Sequence, residues 1–332
     1  MGYKAVVLLS GGLDSTLALK LMLDQGIALY ALNIVTPFCT CTRRGCRHQA
    51  SLVCEQFGVP LKVIYGGQDY LELVRNPKYG YGSQMNPCID CRIFLFRKAR
   101  ELMEEVGADF VVTGEVLGER PMSQRLETMR LIERESNLEG RVLRPLSAKC
   151  LEPTLPELEG MVDREKLLGI KGRSRKPQIA LAEALGVHDY PCPAGGCRLT
   201  DPQFANRVRD AIRHEEFTLP EVQLLKLGRH FRLPGGAKVI VGRNEGENSL
   251  LSRSASPTDL LLEALGVPGP IVLLKKAQGD EDVKVAASMC LWYSDFTGNL
   301  GTVRCRAKAQ GDGFVEVEVA PMDDRTLEIY RI

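Results

Sequence analysis

Charge of one sign is missing from this chain, since 43 Lys and Arg stand against 42 Asp and Glu in 332 residues. That balance excludes a whole-molecule attraction to polyanions, so any contact with nucleic acid must rest on local patches. Long hydrophobic runs are missing as well. No apolar stretch approaches the roughly 20 residues of a membrane span. The N-terminus enters a strand pattern directly, with no charged leader or cleavage site. These absences lead us to expect a cytoplasmic protein without a membrane partner. Only 4 histidines occur, with no pairing that suits a catalytic triad; His188, His214 and His230 read as structural or surface residues. No internal repeat or low-complexity tract is visible, and the glycine-rich segment lacks the Gly-Lys-Ser/Thr ending of a Walker A loop.

What is present starts with Ser10-Gly11-Gly12-Leu13-Asp14-Ser15. The segment follows the apolar run Ala5 to Leu9, which reads as a buried parallel strand, and opens a helical pattern from Thr16 to Leu23. Two glycines let a backbone approach a pyrophosphate without Cβ clashes, and serine hydroxyls with free N–H groups at a helix N-terminus supply donors to the anion. Asp14 is placed to hold Mg²⁺ or to orient a phosphate through one.

Up to about Leu117, strands and helices alternate. The strands are Ala5–Leu9, Ala28–Val35, Leu61–Tyr65 and Phe110–Thr113; the helices follow Asp14, lie around Gln49–Phe57, and span Ile93–Val106. Such alternation predicts an α/β fold with a doubly wound parallel sheet. Ligands of such sheets sit beyond the strands' carboxyl ends. There Ser10–Ser15, Asn33–Ile34 and Thr113–Glu115 are expected to meet. Pro153 to Gly186 looks helical and carries the basic run Lys171, Arg173, Arg175 and Lys176, either a solvated face or a phosphate contact. The character changes near Phe217. Strands Lys238–Val241, Ile271–Leu274, Val303–Arg306 and Phe314–Val319, with a helix Asp282–Tyr293, predict a second, smaller α+β domain. The expected domains are 1–214 and 215–332.

Cysteine is plentiful, with 11 in the chain, and a reducing cytosol makes metal or redox chemistry a better use than a disulfide framework. Cys88-Ile89-Asp90-Cys91 stands just before a helix, where the dipole favours thiolates; redox exchange, zinc and an iron–sulfur cluster all fit that spacing. Cys192 and Cys197 lie in a Pro- and Gly-rich segment able to reach back to the first pair. Cys39, Cys41 and Cys46, with His48 nearby and Cys54 further on, form a possible second metal site whose spacing matches no standard zinc finger. Cys150, Cys290 and Cys305 read as small core residues.

The Ser10–Ser15 loop closely resembles the PP-loop of ATP pyrophosphatases, enzymes of the adenine nucleotide alpha hydrolase-like fold. Taken with Asn86-Pro87-Cys88-Ile89-Asp90-Cys91-Arg92 and Gly196-Cys197, it resembles the tRNA thiolation enzymes. In the tRNA 2-thiouridylases an Asn-Pro-Asp-x-x-Cys segment carries the catalytic cysteine. Cys91 matches that cysteine, and Cys88 replaces the aspartate. A C-x-x-C with one distant cysteine is similar instead to thiolases whose [4Fe–4S] cluster is held by three cysteines. Gly114-Glu115-Val116-Leu117-Gly118 with Ser123-Gln124 is similar to a stretch of the 4-thiouridine synthetases, with Glu119 replacing a glutamine. Their N-terminal RNA-binding extension and rhodanese domain are not evident here.

The resemblance implies catalytic roles for Cys91, Cys88, Cys197 and Asp14, and ATP contacts from Ser10, Gly11, Gly12, Asp14, Ser15, Ile34, Gly114 and Glu115. It implies a [4Fe–4S] cluster on Cys88, Cys91 and Cys197, with Cys192 as alternate ligand and zinc as the alternative metal. The partners implied are tRNA or another RNA and an external sulfur donor. From Phe231 to Ser294 an ordered series of segments, among them Phe231-Arg232-Leu233-Pro234-Gly235-Gly236 and Pro268-Gly269-Pro270, resembles the NFACT-R RNA-binding domain. Arg229, Arg232, Lys238 and Arg243 are its candidate phosphate contacts. Two other readings share these residues, a PP-loop amide-forming ligase with structural zinc and a non-catalytic ribosome- or tRNA-binding protein.

Overall fold

The computed structural model describes residues 2–39, 45–187, 190, 196–307 and 313–332, and of residues 45 and 46 only the backbone. Contacts divide the chain into two compact units, Met1–Asp201 and Pro202–Ile332.

In the first unit, β1 (Lys4–Leu8), β2 (Ala28–Val35), β3 (Leu61–Tyr65), β4 (Phe110–Thr113) and β5 (Val142–Leu143) form one parallel sheet in the order β3-β2-β1-β4-β5. The central strands are apolar without alternation, as expected of strands covered on both faces. On one face α1 (Leu13–Leu23) and α2 (Gly45–Phe57) lay Ala18, Leu19, Met22, Ala50 and Val53 against Ala5, Val7 and Leu29. On the other, α4 (Cys88–Val106), which follows α3 (Gln68–Arg75), packs Ile93, Phe96, Ala99 and Leu102 against Val6, Leu32 and Val111. The three-residue steps of that stripe, with Met103 four beyond Ala99, make the helix amphipathic. Gly107, at φ 62°, ends it in the left-handed conformation that a glycine adopts without strain.

The sheet order fixes where a ligand can sit. From β1 the chain winds outward through β2 to β3, then crosses to β4 on the other side of β1. The crevice beyond the ends of β1 and β4 is therefore the topological switch point.

Two local expectations need correction. The fourth helix starts at Cys88, not Ile93, so both cysteines of the C-x-x-C lie in its first turn. The segment from Pro153 to Gly186 is mostly not helical. After α5 (Leu126–Glu135) it holds only α6 (Leu155–Leu158), a 3₁₀ turn at Arg164–Lys166 and α7 (Lys176–Ala184), because Gly160 and Gly172 sit at φ +70° and +86° between them.

The second unit begins with α8 (Pro202–Arg213) and α9 (Leu219–Leu224). Its six strands, β6 (Arg229–Arg232), β7 (Lys238–Val241), β8 (Leu260–Ala264), β9 (Val272–Lys275), β10 (Gly301–Ala307) and β11 (Val315–Val319), form an antiparallel sheet ordered β11-β10-β8-β9-β7-β6. Helix α11 (Asp280–Trp292) covers one face with Ala286, Ala287 and Met289, while α10 (Glu245–Ser254) places Leu251 on the other; α12 (Asp324–Tyr330) closes the chain. The domain expectation drew its line at 214/215, but α8 is tied into the second unit by Arg232, whose guanidinium donates to Asp210 at 3.1 and 2.6 Å and to Glu216 at 3.2 and 2.7 Å. Among the described residues, no helix is long and apolar enough to cross a membrane.

Candidate active site

A cavity of about 380 Å³ opens at the switch point. One wall is the loop between β1 and α1. Ser10 Oγ lies 3.1 Å from Ser15 Oγ and accepts the Gly12 N–H at 3.3 Å, while the Ser15 and Thr16 hydroxyls both donate to the Gly12 carbonyl at 3.0 Å. These bonds fix a turn that lines the cavity at a helix N-terminus, where the first N–H groups have no partner within the helix. Two glycines shape it. A Cβ on Gly114 would stand 2.5 Å from the backbone of Asp14 and Ser15, and one on Gly11, at φ +75°, would meet Gln49 and Ala50 at 2.6 to 2.8 Å. Gly11 thus seats the loop on α2, while Ser10, Gly12, Asp14, Ser15, Ile34, Gly114 and Glu115 all line the cavity. Asn33, buried beneath them, donates to the Leu9 carbonyl at 2.7 Å and so braces the loop's origin.

Asp14 has a partner that the sequence did not suggest. Arg175, at the N-terminus of α7, pairs with Asp14 Oδ2 and donates to Glu119 Oε1 at 2.6 Å. Asp14 Oδ1 is buried and has no hydrogen-bond partner among the described residues. Burial raises the Asp14 carboxyl above its ordinary range against the pull of Arg175, and burial together with the charge of Asp14 raises Glu119. Arg175 thus turns inward from a basic run that read as a solvated face or phosphate contact. Glu115, expected at the nucleotide, has its carboxylate engaged from behind. It accepts from Arg144 Nε at 3.1 Å and pairs with Arg92 Nε at 3.4 Å. Arg92 directly follows Cys91, so this ion pair links the nucleotide loop to the cysteine helix.

The opposite wall carries thiols. Cys39, Cys88, Cys91 and Cys197 all line the same cavity. Asn86 Nδ2 donates to Cys88 Sγ at 3.0 Å, and the buried Tyr70 hydroxyl donates to Cys91 Sγ at 3.2 Å. Burial raises the Cys91 thiol, while Tyr70 and Arg92 counteract it. Cys197 is pushed up to about 12 by burial, with the charges of the neighbouring cysteines adding to it. It arrives by backbone pairing. Cys197 forms an antiparallel bridge with Cys39, Arg198 N–H donates to the Phe38 carbonyl at 2.8 Å, and Met85 N–H donates to the Leu199 carbonyl at 3.0 Å. Asp90, inside the C-x-x-C, is turned away and accepts the Lys78 and Tyr79 N–H groups at 2.9 and 3.1 Å.

Cys39 therefore lines the same cavity as Cys88, Cys91 and Cys197. Cys41 and Cys192 lie outside the described residues, as does the side chain of Cys46, while Cys54 is packed in the core. Among the described residues, no three His, Cys, Asp or Glu side chains are already closed at metal-ligand spacing. Tyr70, Arg175 and the place of Cys39 are what sequence reasoning missed.

In the second unit the phosphate-contact candidates are mostly occupied. Arg232 is held by Asp210 and Glu216, Lys238 is 1% exposed between the same two carboxylates, and Arg243 pairs with Glu247. Arg229 stacks on the Tyr293 ring at 4.6 Å, and Arg304 on Phe314 at 4.2 Å.

Comparison with known proteins bears on both units. Residues 2–150 match the family described as thiamine biosynthesis protein (ThiI), and residues 228–331 match the NFACT protein RNA binding domain. The tRNA-specific 2-thiouridylase MnmA of Psychromonas ingrahamii is 23% identical over 98% of this chain and 89% of its own length. That of Geobacter metallireducens is 31% identical over 33% of this chain and 34% of its own length. A crystal structure of a 4-thiouridine synthetase with RNA and bound ATP aligns with 68% of this chain and 52% of that one, at 23% identity and a TM-score of 0.40.

Proposed function

On the premise that the chain is a PP-loop protein of the tRNA thiolation type with an NFACT-type RNA-binding domain, we propose that it is an ATP-dependent sulfurtransferase that replaces a uridine carbonyl oxygen of tRNA by sulfur. The observation that carries this reading is the single cavity with a phosphate-binding turn on one wall and thiols on the other. Adenylation and sulfur delivery need both within reach of one base.

The N-terminus of α1 and the Ser10 and Ser15 hydroxyls receive the β- and γ-phosphates, which leaves the α-phosphorus facing the cavity. Attack by the uridine oxygen there releases pyrophosphate and leaves an adenylated base; replacement of that oxygen by sulfur then releases AMP. Asp14 fits Mg²⁺, since its buried Oδ1 has no hydrogen-bond partner among the described residues; the ion would offset phosphate charge. Cys88, Cys91 and Cys197 are soft donors on one wall and fit an iron–sulfur cluster. When bound, the cluster supplies an iron that the protein does not ligate and that is able to carry sulfide. Tyr70 and Arg92 stabilise the thiolate of Cys91, and Glu115 positions Arg92. The sulfur comes from an external donor, and the wealth of free thiols suits a cytoplasmic setting.

The test is anaerobic incubation of the purified chain with unmodified tRNA, ATP and sulfide. Nucleoside mass spectrometry should find a uridine with one oxygen exchanged for sulfur, with AMP and pyrophosphate in equal amounts. Formation of ADP and orthophosphate, or stoichiometric zinc without iron in anaerobically purified protein, would overturn the assignment.

A further inference from the structure

Three cysteines suffice for the proposed chemistry, yet a fourth stands beside them. Cys39 and Cys197 face each other across an isolated antiparallel bridge. The hydrogen bonds around it tell which type of pair this is. Arg198 N–H donates to the Phe38 carbonyl at 2.8 Å, whereas Cys39 N–H turns to the Thr36 carbonyl at 3.4 Å instead of to Cys197. Bonds that flank the pair rather than join it mark a non-hydrogen-bonded pair. In that geometry the Cα atoms lie about 4.5 Å apart and the side chains come closest. A disulfide requires Cα atoms about 4.4 to 6.8 Å apart.

The pairing is also held from behind. Thr200 N–H and hydroxyl both donate to the Cys197 carbonyl, at 3.0 and 2.7 Å, and Met85 N–H fixes Leu199. Both cysteines are half-buried and line the open cavity, so a small reagent can reach them. Cys88 and Cys91 each already accept a hydrogen bond, from Asn86 and from Tyr70. Among the described residues, the hydrogen bond recorded for Cys39 sulfur is with the Thr36 hydroxyl, at 3.3 Å.

We propose that Cys39 and Cys197 form a reversible disulfide when a two-electron oxidant of the peroxide class enters the cavity, and that this bond withdraws Cys197 from the thiol group. One sulfur attacks a peroxide oxygen and becomes a sulfenic acid as the first water leaves; the second sulfur displaces the sulfenic oxygen as a second water. Two thiols are oxidised and one peroxide is reduced. A small-molecule dithiol returns both to the reduced form. Only the consequence for sulfur transfer rests on the proposed function, and the bond itself is read independently of activity.

The full chain, purified without oxygen and treated with a chelator for iron and zinc, would be exposed to hydrogen peroxide, alkylated, digested and mapped by mass spectrometry. The expected product is a cross-linked peptide pair joining Cys39 to Cys197, with fragment ions separating Cys39 from Cys41. Dithiothreitol should return both cysteines to alkylation. A Cys88–Cys91 or Cys91–Cys197 linkage as the main product, or full alkylation of Cys39 after oxidation, would overturn the proposal. Absence of thiolation by the reduced chain, with the Cys39–Cys197 linkage still forming on oxidation, would count against the functional reading alone.

Discussion

Arg175 pairs with Asp14 across 161 positions of sequence, and with its other nitrogen holds Glu119. One guanidinium thus sits between two partly buried carboxylates at the mouth of the phosphate turn. The ionised form of Asp14 is the one that can serve a cation, and burial already raises its carboxyl while Arg175 lowers it. Removing the arginine removes the lowering influence. The acid limb of pyrophosphate release should therefore move to higher pH in Arg175→Ala. In Asp14→Ala, release should fall by about 100-fold or more at any pH, on the scale of losing one preorganised electrostatic group. Pyrophosphate assays across pH on the two variants separate the effects, and an unshifted limb in Arg175→Ala would remove the role given to the pair.

Tyr70 supplies a second measurable contact. Its hydroxyl donates to Cys91 Sγ at 3.2 Å, and its ring packs against Phe38 and Phe94 with centroids 6.2 and 5.3 Å away. Tyr70→Phe keeps the ring and deletes the donor, so melting should change by less than about 1.5 kcal/mol, the net worth of one hydrogen bond. The Cys91 thiol should titrate higher, because the hydroxyl favours its thiolate. Alkylation of Cys91 against pH, followed by peptide mapping, should show the reactive form appearing at higher pH than in the parent. A coincident curve would mean that the contact does not act on the sulfur.

Much of this site was legible because its signals are local. A strand, a Ser-Gly-Gly-x-Asp-Ser turn and a helix are adjacent in sequence, and so are the two cysteines of one helical turn. The partners that were missed are supplied by tertiary structure. Arg175 sits in a run of basic residues whose composition matches a solvated face, and only the path of the chain before α7 turns it inward. Cys39 meets Cys197 through a backbone bridge that leaves no periodicity in either segment. In the second unit, Arg232 and Lys238 carried the right charge for a polyanion, but Asp210 and Glu216 neutralise them from another element. Strands β6 and β8 escaped because Arg229-His230-Phe231-Arg232 is mostly polar and Leu260-Leu261-Leu262-Glu263-Ala264 is made of residues that favour helices.

The Glu216 pairing gives a stability test with a definite sign. Arg232 and Lys276 hold the Glu216 carboxyl down from 4.5 to about 2 against the cost of its burial. A depressed carboxylate stabilises the folded state above its unfolded value, and that contribution is lost as pH falls from about 4.5 towards about 2. Acid unfolding of the second unit should steepen over this window. Replacing the cation by Arg232→Ala should cost about 3 to 5 kcal/mol at neutral pH, because it leaves two buried carboxylates short of their partner. Glu216→Gln should flatten the acid limb. Denaturant titrations at several pH values check both, and an unchanged slope in Glu216→Gln would deny the carboxylate its role.

Where the chain is cut decides whether RNA affinity can be assigned to the second unit. A cut near residue 215 would leave α8, with Asp210, on the first fragment and part it from its bidentate partner Arg232, so a change in binding would not report on the second unit alone. A cut after Asp201 respects the contacts. The fragment 1–201 should keep ATP binding at the Ser10–Ser15 turn but bind tRNA at least about tenfold more weakly, the loss of roughly 1.4 kcal/mol. Within the full chain, Arg229→Ala and Arg304→Ala should each weaken tRNA binding and reduce the slope of log affinity against log salt by about one. Both guanidiniums lie on aromatic rings, and Arg304 also pairs with the part-exposed Glu263 at 3.9 Å. Lys238→Ala should instead lower the melting temperature, since that ammonium is buried between Asp210 and Glu216. Equal tRNA affinity in fragment 1–201 and the full chain would remove the second unit as the anchor and move attention to the basic run Lys171–Lys176.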